Sequence, residues 1–294
     1  MKEKLIVLLA VVGGSLAGAF VRFADAPAAV LVVWRMALSV LVLLPGVWRD
    51  RAEFSAMTKR VWLMCAAGGA SLGLSFVTFF EAVKYTSLSA CAVLVNMEVL
   101  FVALITVVVF RQRLGGRKWA AILVAFGGAV VIALADGASG GGSNALLGDA
   151  LAILSAVLAA VYTVAGSVCR KSLGTTVYTC LIYFFAMVAA AVPVVTGGTP
   201  LLGYGTVNYL VVLGLVVFCT FMSHSLFSWG LKYLPPAFIS TMKLLDPLCA
   251  TLWALLLFRE VPGGLVLLGG VIVIAGVLLY SRAVPAVKET EETA

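Results

Sequence analysis

The sequence predicts an all-α integral membrane protein, with ten transmembrane helices in two inverted five-helix repeats and both termini in the cytoplasm. Three observations predict it. Of 294 residues, 63% are hydrophobic and 11% charged, with a mean hydropathy of +1.15; soluble domains carry about 25% charged residues. Apolar segments of roughly 20 residues, each long enough to cross a bilayer as a helix, recur along the chain. The chain also repeats itself at one ungapped offset of 148 residues. Lys84-Tyr85 falls on Lys232-Tyr233, Phe110-Arg111 on Phe258-Arg259, Gly115-Gly116 on Gly263-Gly264, and Gly128 on Gly276. Self-similarity at a fixed offset is the mark of duplicated architecture.

The elements follow in order. The first span, 4–22, comes after Lys2 and Lys4, and Ala24-Asp25-Ala26 beyond it has the outline of a cleavage site. The apolar run continues to Val21 and the segment has a partner in the repeat, so it reads as a span and not as a signal peptide. Pro27 opens the second span, 27–45, as a first-turn proline. Spans 61–83, 88–110 and 117–135 complete the first repeat, residues 1–137. The run Ser139-Gly140-Gly141-Gly142-Ser143 is a flexible linker to the second repeat, residues 146–283. Its spans are 146–168, 175–196, 207–229, 236–258 and 263–282, the ninth opened by Pro235-Pro236. The polar tail, 284–294, is expected to be disordered and cytoplasmic. No hydrophilic block is large enough for a soluble domain.

The net charge of +7 sits almost entirely in short loops, which makes it a topology signal and not a nucleic-acid face. With the N-terminus in the cytoplasm, fifteen lysines and arginines fall in cytoplasmic segments and only Arg22, Lys84 and Arg259 fall outside. Arg35 and Lys243 lie within spans. Five spans per repeat is an odd number, so the second repeat is inverted relative to the first. Inverted repeats place a site near the bilayer midplane, open alternately to each side.

Each repeat carries one carboxylate at the middle of its fourth span: Glu98 in the first and Asp246 in the second (246 − 98 = 148). An ionisable group in the membrane is costly unless it faces a cavity or a partner. Lys243 and Asp246 are spaced i, i+3 and share a helix face, where they form either a packing ion pair or a site for a zwitterion. Glu98 has no base near it in sequence and is the expected proton- or cation-coupling residue. Arg35, next to Trp34, either anchors a substrate carboxylate or holds helices together; its repeat counterpart is Tyr183. His224, the single histidine, shares a helical face with Thr220 and Ser228 and titrates near neutral pH, as a structural residue or a relay. Glu81 pairs with Lys84 at i+3, and Asp149 is read as an interfacial residue near a helix N-terminus.

The six cysteines form no CxxC pair and read as small hydrophobes of the spans. There is no metal-spaced Cys/His cluster, no phosphate-cradling loop and no nucleotide-binding segment. No cofactor, metal or enzymatic activity is therefore expected, and an integral-membrane enzyme or receptor is the weakest of the three function classes.

The stretch Ala82-Val83-Lys84-Tyr85-Thr86-Ser87 leads into the fourth span, Arg111 and Gly115-Gly116 with Trp119 form a junction, and Arg259-Glu260 leads into a glycine-rich tenth span. In these motifs and in its five-plus-five plan, nearly the whole chain resembles the drug/metabolite transporter superfamily, EamA-type branch. The resemblance implies a carrier of small metabolites in the inner (cytoplasmic) membrane, with spans 1, 3, 4, 6, 8 and 9 lining a central cavity. It adds His224, Trp229, Phe76, Phe80 and Tyr162 as cavity candidates. Tyr162 leads, because its hydroxyl needs a partner and its repeat mate is Gly14. The family commonly has proline in the middle of both the fourth and ninth spans. Here Pro247 is present but Val99 stands at its counterpart, so the first half is expected to be less kinked and more polar.

The expected function is secondary active transport of a small organic molecule across the lipid bilayer by alternating access, coupled to protons. Efflux of an amino acid or related zwitterion comes first, and an organic-cation or drug exchanger of the same fold is the alternative. The candidate site comprises Glu98, Asp246, Lys243, His224, Tyr162, Arg35 and Trp229. Glycine-rich faces on the fifth and tenth spans leave monomer and homodimer both open.

Overall fold

The structure, a computed structural model, describes residues 2–98, 100–102, 104–105, 115–138, 144–169, 172–226 and 245–283. Among them it is helical, with no strand. The helices are α1 (Lys2–Arg22), α2 (Ala28–Arg49), α3 (Lys59–Tyr85), α4 (Leu88–Val95), α5 (Gly116–Ala138), α6 (Ala145–Cys169) and α7 (Thr175–Thr196). Next come α8 (Thr206–Gly214, continuing as a π-helical stretch Leu215–Ser225), α9 (Asp246–Phe258) and α10 (Gly264–Ala283). A 3-10 turn, Arg51–Ala56, links α2 to α3. Among the described residues, five helical segments are long and apolar enough to cross a membrane: Ala28–Arg49, Lys59–Tyr85, Ala145–Gly166, Thr175–Thr196 and Thr206–Ser223. Large apolar side chains such as Leu41, Val192, Leu210, Leu256 and Val271 stand exposed, as expected of a surface solvated by lipid tails.

Local chemistry accounts for several helix starts. Pro27 sits at the N-cap of α2, where no amide is needed. Thr58 and Ser87 cap α3 and α4 by accepting from the Val61 and Ala90 amides. The core between helices is built from small residues, which lets backbones approach without a water-driven hydrophobic force. A Cβ at Gly128 would stand 2.7 Å from the Val273 amide nitrogen of α10, and one at Gly276 would stand 2.7 Å from the Ala125 nitrogen of α5. These glycine faces are therefore used within the chain, against each other, and they add nothing to the case for a homodimer.

Helix α3 packs on α6 and α7, while α8 packs on α1 and α2. Helix α9 packs on α1, and α4 packs on α6. Contacts between α2 and α7 and between α5 and α10 join helices that are partners at the 148-residue offset, and α4 contacts α9. One end of the bundle carries Arg22 and the α3–α4 junction; the other carries Arg60 and the C-terminus of α6.

Two features differ from the sequence expectation. The first-half carboxylate helix is interrupted although it lacks proline. Helix α4 stops at Val95, and Asn96 and Met97 form a turn before the chain is helical again at Glu98. The Asn96 side chain donates to the Ala92 carbonyl (2.8 Å), an asparagine competing with the helix ladder for its own backbone acceptor. In the second half Leu245, the repeat mate of Met97, is likewise a turn residue, and α9 starts at Asp246. The earlier part of the ninth span, including Pro235-Pro236, lies outside the described residues. The second difference is the π-helical stretch of α8, in which the Thr220 hydroxyl donates to the Leu215 carbonyl five residues earlier (3.3 Å). Ser228, expected on one face with His224, lies outside the described residues.

Candidate functional site

Glu98 lies ten residues past Leu88, about 15 Å into the bundle, and Asp246 lies twelve before Phe258, about 18 Å in. Both are half-buried. Each follows a turn residue and begins a helical run, where free amides and the helix dipole favour an anion. Glu98 Oε1 accepts a 2.6 Å hydrogen bond from the Thr163 hydroxyl of α6. Asp246 Oδ1 is 3.7 Å from the position a Cβ on Gly14 of α1 would occupy, and Ser223 Oγ is 2.8 Å from that same point. Helices α1 and α6 are partners at the repeat offset, and Thr163 falls on Ser15. Each carboxylate thus meets the first helix of the opposite half. Ser15 is held in turn by the Trp253 indole of α9, which donates to its hydroxyl (3.0 Å).

Arg35 is fully enclosed, at 2% exposure. Its Nε donates to Thr220 Oγ1 of α8 (3.1 Å), and its guanidinium carbon lies 4.3 Å from the centre of the Phe76 ring of α3. Ser39 bonds back to the Arg35 carbonyl (2.8 Å). A buried charge needs such partners. Arg35 therefore ties α2 to both α3 and α8. Thr220, which it holds, is one turn from Ser223, the neighbour of Gly14 beside Asp246.

Tyr162 is partly buried against the core, with its hydroxyl in hydrogen-bonding reach of Tyr178 of α7. Phe80 is wholly enclosed and stacks with Phe76 at 6.4 Å, which makes it a core residue and not a cavity-lining one. Glu81 accepts from Lys84 at 3.2 Å, as its spacing suggests. Asp149 departs from expectation: it is 2% exposed and accepts from the Thr86 hydroxyl (2.7 Å), because the α3–α4 junction folds over the start of α6. Lys243 and Trp229 lie outside the described residues, as does the side chain of His224.

Thr163 and Ser223 were not singled out by sequence. Both are neutral, and only the repeat distinguishes them, through Ser15 and Ser75. On another face of α6, Val161, Val164 and Ala165 line a cleft of about 580 Å³ together with Arg60, Leu63, Met64 and Ala67 of α3 and Ile105. Its wall is apolar apart from Arg60. Among the described residues no group of His, Cys, Asp and Glu could hold a metal ion.

A family model described as EamA-like transporter family matches residues 1–134 and 146–282. A protein described as an uncharacterized transporter from Clostridium kluyveri is 26% identical over 251 residues, covering 82% of this chain and 79% of that protein. Another uncharacterized transporter, from Archaeoglobus fulgidus, is 29% identical over 216 residues, covering 71% and 73%. A solved structure titled only as the crystal structure of a protein superposes with a TM-score of 0.63 over 98% of this chain and 99% of that one. At 17% identity it speaks to the fold alone.

Proposed function

The chain belongs to the EamA-like transporter family, and from that premise we propose that it is a secondary active carrier moving a small organic metabolite by alternating access. Its family and its relatives make it a multi-pass membrane transporter. The finer reading rests on one observation: Glu98 and Asp246, mates at the 148-residue offset, each follow a turn residue and stand against the first helix of the other half. A seam between two halves is where rocking changes which side a group faces.

In this reading Glu98 is the coupling residue. Its bond to Thr163 exists only while α6 and the α4 segment are in register, so protonation and the state of the seam are linked. Asp246 binds the amino group of a zwitterion such as an amino acid, and Arg35 of α2, bonded to Thr220 of α8, is the candidate for its carboxylate. Lys243 and His224 act around Asp246, and Tyr162 and Trp229 complete the wall. The bias of basic loops supports a cytoplasmic Arg60 end with both termini inside, in the inner membrane that this reading assumes. The apolar cleft between α3 and α6 favours the second reading, an exchanger of organic cations that carry their own apolar surface.

Uptake of a metabolite panel into proteoliposomes, with and without a pH gradient, tests this. Accumulation of one amino acid driven by the gradient supports the first reading. Movement of apolar cations alone supports the second. A protein that moves no solute while turning over a lipid overturns both.

A further inference from the structure

The Arg22 end of the bundle is held by a polar cluster that the candidate site does not include. Arg22, the last residue of α1, forms an ion pair with Glu260 in the α9–α10 connection. The pair does not stop there. Arg22 Nη2 donates to the Thr86 carbonyl (3.0 Å), and Glu260 Oε1 accepts from the Leu88 amide (3.0 Å), the first residue of α4. The Thr86 hydroxyl donates to Asp149 of α6 (2.7 Å), and Gly148 leaves no room for a Cβ against Thr86, at 2.7 Å. The Arg22 guanidinium also lies 5.3 Å from the centre of the Phe258 ring.

Packing shows what these contacts join. Helix α3 packs with α6 and α7, and α8 with α1 and α2. The ion pair joins α1 to the α9–α10 connection, and the Thr86–Leu88 junction joins α3 to α4, which packs on α6 and α9 alike. The two backbone bonds, one from the cation and one to the anion, cross between them. Both partners are about one-fifth exposed, which leaves them only partly screened by solvent. The approach of Glu260 is also enforced locally. Arg259 takes a left-handed conformation (φ 55°), the only non-glycine residue to do so among the described residues. Its amide and that of Glu260 close the end of α9 on the Leu255 and Ala254 carbonyls (3.1 Å each). A side chain held in a conformation that favours glycine marks a site where the following residue's position matters.

We propose that Arg22 and Glu260 form a latch on the Thr86–Leu88 junction that shuts the Arg22 end and must release in every transport cycle. The repeat gives the latch an unequal counterpart. At the 148-residue offset Arg22 falls on Arg170, but Glu260 falls on Gln112. Both counterparts lie outside the described residues, and in sequence the second site lacks the carboxylate. At the Arg60 end, the described polar contacts between the halves include an exposed bond from the Gly174 amide to Glu53 (2.7 Å) and one from the Cys169 thiol to the Val61 carbonyl (3.9 Å). The resting protein is closed at the Arg22 end by an ion pair that the sequence of the Arg60 end does not repeat.

This inference rests on the alternating-access reading, so its test must not need a solute. Spin labels at Lys84 and Val261, both exposed and on opposite sides of the latch, report its state in a background whose six native cysteines are replaced. The wild-type arrangement should give one short distance population. E260Q should add a longer one. The exchange R22E/E260R should not restore closure, because glutamate cannot donate to the Thr86 carbonyl and arginine cannot accept from the Leu88 amide; R22K should retain it. If E260Q fails to reach the membrane, E260D keeps the charge, shortens the reach and gives the same reading. Identical distributions in wild type and E260Q, or in wild type and E260D where E260Q is not made, overturn the latch, as does full restoration by the exchange. A latch that opens in a protein that moves no solute supports the latch and counts against the transport reading alone.

Discussion

Glu98 of the first half accepts a hydrogen bond from Thr163 of the second, 65 residues away and on the repeat partner of α1. A bond to a charged acceptor is worth about 1.5–3 kcal/mol. Thr163→Val removes it with little change of shape and is expected to slow gradient-driven transport about tenfold, the effect of about 1.4 kcal/mol. Thr163→Ser keeps the hydroxyl and should stay near wild type. Initial uptake rates in proteoliposomes at matched protein density check this.

Arg35 is expected to matter for stability as well as transport. Arg35→Met gives up the Thr220 bond and the Phe76 contact, at a combined cost of about 3 kcal/mol. Phe76→Leu gives up the ring alone, at about 1–2 kcal/mol. The double variant should be less destabilised than the sum, because both remove one shared contact. Melting in detergent measures all three. Strict additivity would mean that ring and guanidinium do not interact.

The α5–α10 contact predicts a different pattern for neighbouring glycines. Gly128→Ala and Gly276→Ala each place a Cβ against backbone that cannot swing away, at a cost of about 1–3 kcal/mol. Gly127 has nothing within 4 Å of its Cβ position, so Gly127→Ala should be neutral or stabilising by up to about 1 kcal/mol. The same detergent melts distinguish the three.

Much of the helical layout was legible because apolar length and the 148-residue repeat are properties of the chain itself. The segments expected at 61–83, 146–168 and 175–196 are helical at Lys59–Tyr85, Ala145–Cys169 and Thr175–Thr196. Glu81 and Lys84 were legible for the same reason, since their spacing on one helix decides their contact. The interruption at Asn96 was not, because proline is the strong breaker signal and an asparagine side chain bonding to Ala92 is a local competition that sequence does not resolve. The π-helical turn under Thr220 was equally hidden. The burial of Asp149 and the latch of Arg22 on Glu260 depend on which loops fold over which helix ends. Charges there read as topology signals, and only tertiary packing turns them into partners. Within the candidate site, the carboxylates stood out because charge is rare in apolar spans, whereas Thr163 and Ser223, being small and neutral, did not.

The most direct measurement is solute accumulation in proteoliposomes under an imposed pH gradient, comparing wild type, Glu98→Gln and Asp246→Asn. If the two carboxylates divide the work as proposed, wild type accumulates solute against its gradient. Glu98→Gln loses the pH-driven component at least tenfold while still exchanging solute for solute, and Asp246→Asn loses both. Full pH-dependent accumulation by Glu98→Gln would contradict the coupling role and, with it, the central claim.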